Sequence, residues 1–197
     1  LVTYCARVSN PSNQMNTATA DKLIAYLKRE QHWSVFEMVS VCLQIDTTRD
    51  IARQVLRHRS FSFQEFSQRY ADPSALGEMF ELSEARFQDT KNRQNSIECD
   101  DAETIAWWMD SQQRMVNLAT EIYVEALERG LAKEVARKVL PEGLTRSRMY
   151  MNGTLRSWIH YCDLRGANGT QKEHMQVAQA CAQVISQIYQ QMEIPQG

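Results

Sequence analysis

Residues 31–59 read QHWSVFEMVSVCLQIDTTRDIARQVLRHR, and the change of period inside this stretch decides the fold class. In its first half Val35, Val39, Val41, Leu43 and Ile45 alternate with Phe36, Met38, Ser40, Cys42 and Gln44, the period of a strand. Glu37 falls on the valine face, where an unpaired carboxylate would be costly, so it lies near an open end or has a partner. Thr47 to Asp50 resembles a capping box, and the stripe Ile51, Ala52, Val55, Leu56 that follows predicts a helix through RDIARQVLRHR. Gln54, Arg57 and His58 stand three and four apart on another face of that helix. A strand running straight into a helix excludes an all-helical reading.

Working outward, residues 1–20 turn through Asn10, Pro11, Ser12 and Asn13 and are expected to form a loop. Leu23, Ile24 and Leu27 mark a helix over about 21–30, with Lys28 and Arg29 in its last turn. Downstream, SFSFQEFSQRY alternates as an extended segment with Phe61 and Phe63 directed inward. Residues 71–99 show little periodicity and read as a long excursion; residues 88–100 within it carry no assignable role. Residues 100–130 form the longest helix, with Ile105, Trp108, Met109, Met115, Leu118, Ile122, Tyr123, Ala126 and Leu127 on its packing face and Gly130 as terminator. A short helix, LAKEVARKVL, stops at Pro141. TRSRMYMNGTLRSWIHYCDLR contains a helix packing through Leu155, Trp158, Ile159 and Cys162, with Arg156 and His160 on a common edge. A last helix spans 171–192, marked by residues from Met175 to Tyr189. The expected architecture is α+β: a single domain, 1–197, with a central antiparallel or mixed sheet packed by a helical bundle.

A chain of 197 residues that is 43% hydrophobic and 23% charged can bury a core of its own. No apolar run approaches the roughly 20 residues that cross a bilayer, and the start does not have the order of a signal peptide. A soluble, cytoplasmic protein with no membrane partner is the expectation. Five cysteines without a Cys-x-x-Cys pair argue against a disulfide framework and against a metal site.

The formal net charge of -2 speaks against broad nucleic-acid binding, yet residues 49–70 hold five arginines against Asp50 and Glu65, a local +3. Within that window RHRSFSFQEFSQRY, residues 57–70, sets guanidinium forks beside hydroxyls and amides, the chemistry that holds phosphate or carboxylate. Further arginines lie at 137, 146, 148, 156 and 165. There is no Gly-rich phosphate loop, Gly-x-Ser-x-Gly elbow, His-Glu-x-x-His helix or dinucleotide fingerprint. Read from the residues alone, the chain carries a site for polyanionic, phosphorylated ligands, with His58, Glu65 and His160 as polar auxiliaries. A solvated polar loop, or a nucleic-acid-binding module built on the Arg-rich helix, would use the same residues.

The run Arg57-His58-Arg59, seven residues, then Ser67-Gln68-Arg69-Tyr70 resembles the defining motif of the flavin-dependent thymidylate synthases, also called thymidylate synthase-complementing proteins. CARVS, HWSVFE, ARQVLRHR, VARKVLP and TLRSWIHYCDLR extend the likeness over nearly the whole chain in the family's order. The resemblance implies a homotetramer that uses FAD and NADPH to carry and reduce a one-carbon unit from 5,10-methylenetetrahydrofolate to dUMP. It also implies that the family's N-terminal strand is missing here. By matching positions, Gln54, Arg57, Glu65, Ser67, Gln68, Arg69, Arg137 and Arg165 would hold dUMP, with Arg165 the catalytic residue. Ser34, Glu37, Arg57, His58, Arg59, Glu65, Thr154, Arg156 and His160 would contact FAD, and His32 would lie near flavin and folate. The chain departs from the pattern at His160 and Thr154, where relatives carry Asn. A homologue that binds flavin or nucleotide without catalysing would share these motifs.

Overall fold

A computed structural model describes residues 1–167 and 169–188. The chain divides into two compact units, one from Leu1–Leu43, His58–Phe63 and the chain from Met151, the other from Gln44–Arg57 and Gln64–Tyr150. Three strands, β1 (Ser40–Thr48), β2 (Ser62–Glu65) and β5 (Arg146–Thr154), form one sheet in the order β1-β5-β2, and the division between the units falls within each of them. The central strand is β5, where Ser147, Met149, Met151 and Gly153 are buried and alternate with Arg146, Arg148, Tyr150 and Asn152. With helices accounting for much of the rest of the chain, the class is the expected α+β.

The first unit contains α1 (Val2–Ala6), α2 (Ala20–Arg29), α6 (Leu155–Arg165) and α7 (Lys172–Ile188). Two expectations are corrected here. The opening residues, read as a loop, include α1, whose Val2 is buried. The segment Trp33–Met38, read as the start of the strand, is a 3-10 turn that buries Phe36 completely, and the strand begins only at Ser40. The residues joining turn and strand are anchored from α6: Leu155 N–H donates to the Val39 carbonyl at 2.8 Å and the Trp158 indole N–H to the Val41 carbonyl at 3.0 Å. Trp158 and Tyr161 are fully buried and meet Phe61 edge-on at 4.8 and 5.9 Å between ring centroids. Phe61 in turn occupies the space beside Gly153, where an added Cβ would come within 2.6 Å of its Cε1. Along α7, His174, Ala178, Cys181, Ala182 and Ile185 are buried, the 3.6-residue period expected. The expected end of this helix at 192, and Tyr189, lie outside the described residues.

The second unit holds α3 (Arg49–Val55), α4 (Ala102–Glu128) and α5 (Lys133–Ala136), with a hairpin of β3 (Arg86–Gln88) and β4 (Ser96–Glu98). The helix expected to run to Arg59 ends at Val55, because RHRS offers no apolar residue to continue its buried stripe. Part of the supposedly aperiodic excursion is ordered: β3 and β4 pair antiparallel, with Phe87 opposite Ile97. Asp101 caps α4 by accepting from the N–H groups of Glu103 and Thr104 at 3.3 and 3.2 Å. The packing face of α4 is Gln112, Val116, Ala119 and Tyr123. Of the face expected from the sequence only Tyr123 is buried, whereas Ile105, Met109, Met115, Leu118 and Ile122 are exposed. Gln112 is buried because its amide accepts from Ser83 N–H and donates to the Ser83 carbonyl, both at 2.9 Å. An apolar count along the helix misses that pairing.

Candidate functional site

In the first unit, the 3-10 turn brings Glu37 to the start of α6. The α6 cap is Thr154, whose hydroxyl accepts from Ser157 N–H at 3.3 Å. In the first turn of the helix, Arg156 donates through Nη1 to Glu37 Oε1 at 2.9 Å. The Thr154 hydroxyl and the Arg156 guanidinium hold the Glu37 carboxyl below its ordinary range, with a further contribution from His160. Trp33 packs against the His160 ring, with centroids 4.6 Å apart. Four of the residues expected to bind flavin, Glu37, Thr154, Arg156 and His160, therefore form one patch. Its charged pair remains in reach of solvent, with Arg156 and Glu37 side chains 44% and 37% exposed. Ser34 and His32 are exposed at the head of the turn, the His32 ring edge-on to Tyr26 at 6.0 Å, and Arg59 is exposed before β2.

At the other end of α6, Arg165 occupies the last turn and its Nε donates to His58 Nε2 at 3.1 Å. The His58 ring stands edge-on to Tyr161 at 4.9 Å and to the buried His174 at 6.0 Å. Burial first, then the charge of Arg165, push the His174 imidazole down to about 4. Burial likewise raises Tyr161 far above the ordinary phenol range. Neither Tyr161 nor His174 is recognisable as a site residue from spacing, since both sit on the packing faces of their helices.

In the second unit, Glu65 closes β2 and accepts from Ser147 Oγ on β5 at 3.0 Å. Arg53 joins Glu65 at 3.4 Å and Glu142 at 3.0 Å; Arg49 stands 3.8 and 3.7 Å from the same two carboxylates. Arg49 is buried although it belongs to the first turn of α3, where sequence reasoning counted it only as charge. Past Glu65, the Ser67 hydroxyl accepts from Arg69 N–H at 3.4 Å, and Arg69 pairs with Glu134 at 3.2 Å. Gln68 is buried, and its Nε2 has no hydrogen-bond partner among the described residues. Gln54 is half-buried on α3, Arg57 is exposed just beyond it, and Arg137 opens the 3-10 turn Arg137–Val139 after α5. No group of three or more His, Cys, Asp or Glu that could hold a metal occurs among the described residues.

These three groupings are rich in cationic and polar donors, and none contains a positioned thiol: Cys162 and Cys181 are buried, and Cys162 is raised above the ordinary thiol range chiefly by burial. Comparison with known proteins places the donors in a family. The model of the thymidylate synthase complementing proteins matches residues 1–189. The chain is 50% identical over 185 residues to a probable flavin-dependent thymidylate synthase of Paramecium bursaria Chlorella virus 1, covering 94% of this chain and 84% of that one. Against the flavin-dependent thymidylate synthase of Synechocystis the identity is 48%, covering 94% and 83%. A Thermus thermophilus enzyme of the same name is 36% identical over 188 residues, covering 94% and 67%. With the motif arginines, the Glu37 to His160 patch and a match from Leu1 to beyond α7, the chain belongs to the thymidylate synthase complementing protein family.

Proposed function

We propose that this chain is a flavin-dependent thymidylate synthase: it forms dTMP from dUMP with a one-carbon unit from 5,10-methylenetetrahydrofolate, using FAD, with NADPH as the reductant. The observation that carries the reading is the similarity to enzymes of that name along 94% of the chain. Two local features fit the ligands. The guanidinium of Arg156 and the imidazole of His160 form a donor set open to solvent beside the Trp33 ring, suited to the polar edges of a flavin nucleotide. The buried Nε2 of Gln68 is a donor in want of an acceptor, suited to a nucleotide oxygen.

On this reading Gln54, Arg57, Glu65, Ser67, Gln68, Arg69, Arg137 and Arg165 hold dUMP. Ser34, Glu37, Arg57, His58, Arg59, Glu65, Thr154, Arg156 and His160 hold FAD, and His32 lies near flavin and folate. Forked guanidinium donors fix a phosphate in both position and orientation. Bound FAD supplies the redox chemistry of the one-carbon transfer. Arg165 performs the protein's chemical part: its permanent cation stabilises the negative charge that develops when the uracil ring loses its proton. The buried, raised thiols agree with a reaction that uses no cysteine nucleophile.

The active enzyme is read as a homotetramer whose sites combine residues of different subunits. The exposed Ile105, Leu118 and Ile122 of α4 support an assembly that covers them. None of the described helices is long and apolar enough to cross a membrane, and the cytoplasm is the compartment assigned with the function. Size-exclusion chromatography of protein reconstituted with FAD tests both the cofactor and the assembly. Flavin absorbance should co-elute with protein at four times the chain mass. Colourless protein would sink the flavin reading, and a yellow monomer would sink the tetramer.

A further inference from the structure

The bond between Arg165 and His58 joins the end of α6 to the RHR motif and carries an inference of its own. A guanidinium has only donors, so the 3.1 Å contact requires His58 Nε2 to be the acceptor, unprotonated, which leaves the ring proton on Nδ1. Protonating His58 would remove that acceptor and set a second cation against the first. His58 lies in the turn between Val55 and Ser62, where an isolated side chain would have rotamer freedom. Its ring is instead fixed by two others, Tyr161 at 4.9 Å and an interplanar angle of 87°, and His174 at 6.0 Å and 78°. Tyr161 and His174 also lie against each other, with centroids 5.9 Å apart, and both are at least 99% buried. Tyr161 stays a neutral phenol and His174 a neutral imidazole at physiological pH, so neither sets a charge of its own beside Arg165. Arg165 itself is half-buried; its Nε donates to His58, and its terminal nitrogens have no hydrogen-bond partner among the described residues.

We infer that His58 is a positioning residue for Arg165: its neutral imidazole, clamped by Tyr161 and His174, orients the guanidinium through Nε for the anion it must stabilise. This inference rests on Arg165 being the catalytic residue. It assigns to the middle residue of the RHR motif a role that acts through another side chain, beyond any contact with the cofactor.

The test compares His58→Gln, which keeps an acceptor, with His58→Phe, which keeps the ring packing and removes it. Both are assayed as flavin-loaded enzyme for dTMP formation, beside Arg165→Ala and the double variant. H58F should lower kcat roughly 10- to 100-fold, the range for a misplaced catalytic donor, with less change in the KM for dUMP. H58Q, which keeps an acceptor for Arg165 Nε, should recover most of kcat. Added to R165A, H58F should cause no further loss in kcat. Parent-like kcat in H58F, no recovery of kcat in H58Q, or additive losses in the double variant would overturn the positioning role. Full turnover by R165A would instead remove Arg165 from catalysis, a separate failure of the reading beneath it.

Discussion

Burying the amide of Gln68 with its Nε2 unpaired costs folding free energy that nothing in the described chain returns. Such a cost is tolerated where the group has work to do with a ligand. Replacing it by Met keeps the volume and removes the orphan. Gln68→Met is therefore expected to leave the melting temperature unchanged or raised, while weakening dUMP binding about tenfold, the worth of one hydrogen bond of about 1 kcal/mol or slightly more. Titration calorimetry and thermal unfolding on the same preparation check both halves. An unstable variant with parent affinity would make Gln68 a structural residue only. At this scale the sequence was informative where the chemistry is local to a motif: Arg57 to Tyr70 stood out because forked cations and amides crowd one stretch. Arg49, Ser147, Glu142 and His174 did not, because their partners are 13 to more than 90 residues away and no periodicity reports such pairs.

At the scale of elements, β5 is the strand that the sequence concealed. Its alternation is regular, but the inward residues are Ser147, Met149, Met151 and Gly153, of which none is β-branched or aromatic. Gly153 is small for a stated reason: the Phe61 ring fills the space where a side chain would be. Gly153→Ala would force that ring against Trp158 and Tyr161 and is expected to cost roughly 1–3 kcal/mol, as overpacking a tight core does. A urea denaturation series reads this directly, and an unchanged midpoint would mean that the ring moves freely. The strand begins later than the alternation predicts for a related reason. Phe36 and Glu37 each obey the alternation on paper, but burying the first and pairing the second with Arg156 takes a 3-10 turn. The long helix α4 was legible in extent because its cap and terminator are local, Asp101 and Gly130. Which face of α4 is buried was not legible, since that depends on Gln112 meeting Ser83.

For the whole molecule, titration sets the acid limit. His174 has a folded value lowered to about 4, against an unfolded value near 6.5. A lowered value means that the unfolded chain takes up the proton first, so the stabilisation is fully present above about pH 6.5 and is lost as pH falls toward 4. Glu37 and Asp46 are also lowered, Asp46 by the twin bonds from Arg148 at 2.7 Å. Their contributions are present above the ordinary carboxylate range and are lost below it. Two windows of acid loss follow. Stability measured by urea at pH 7 and pH 5 should fall by on the order of 1–2 kcal/mol in the parent, and by less in His174→Phe. Equal falls in the two proteins would exclude His174 as the upper titrating group.

The central claim, that this chain makes dTMP with flavin and folate, is tested most directly by release of tritium from 5-tritiated dUMP, with product analysis, in the presence of methylenetetrahydrofolate, NADPH and FAD. The complete mixture should release tritium to water and yield dTMP in equal amounts, and dTMP formation should stop when FAD or the folate is withheld. Flavin-loaded protein that forms no dTMP in the complete mixture, or forms it equally well without flavin, would contradict the account.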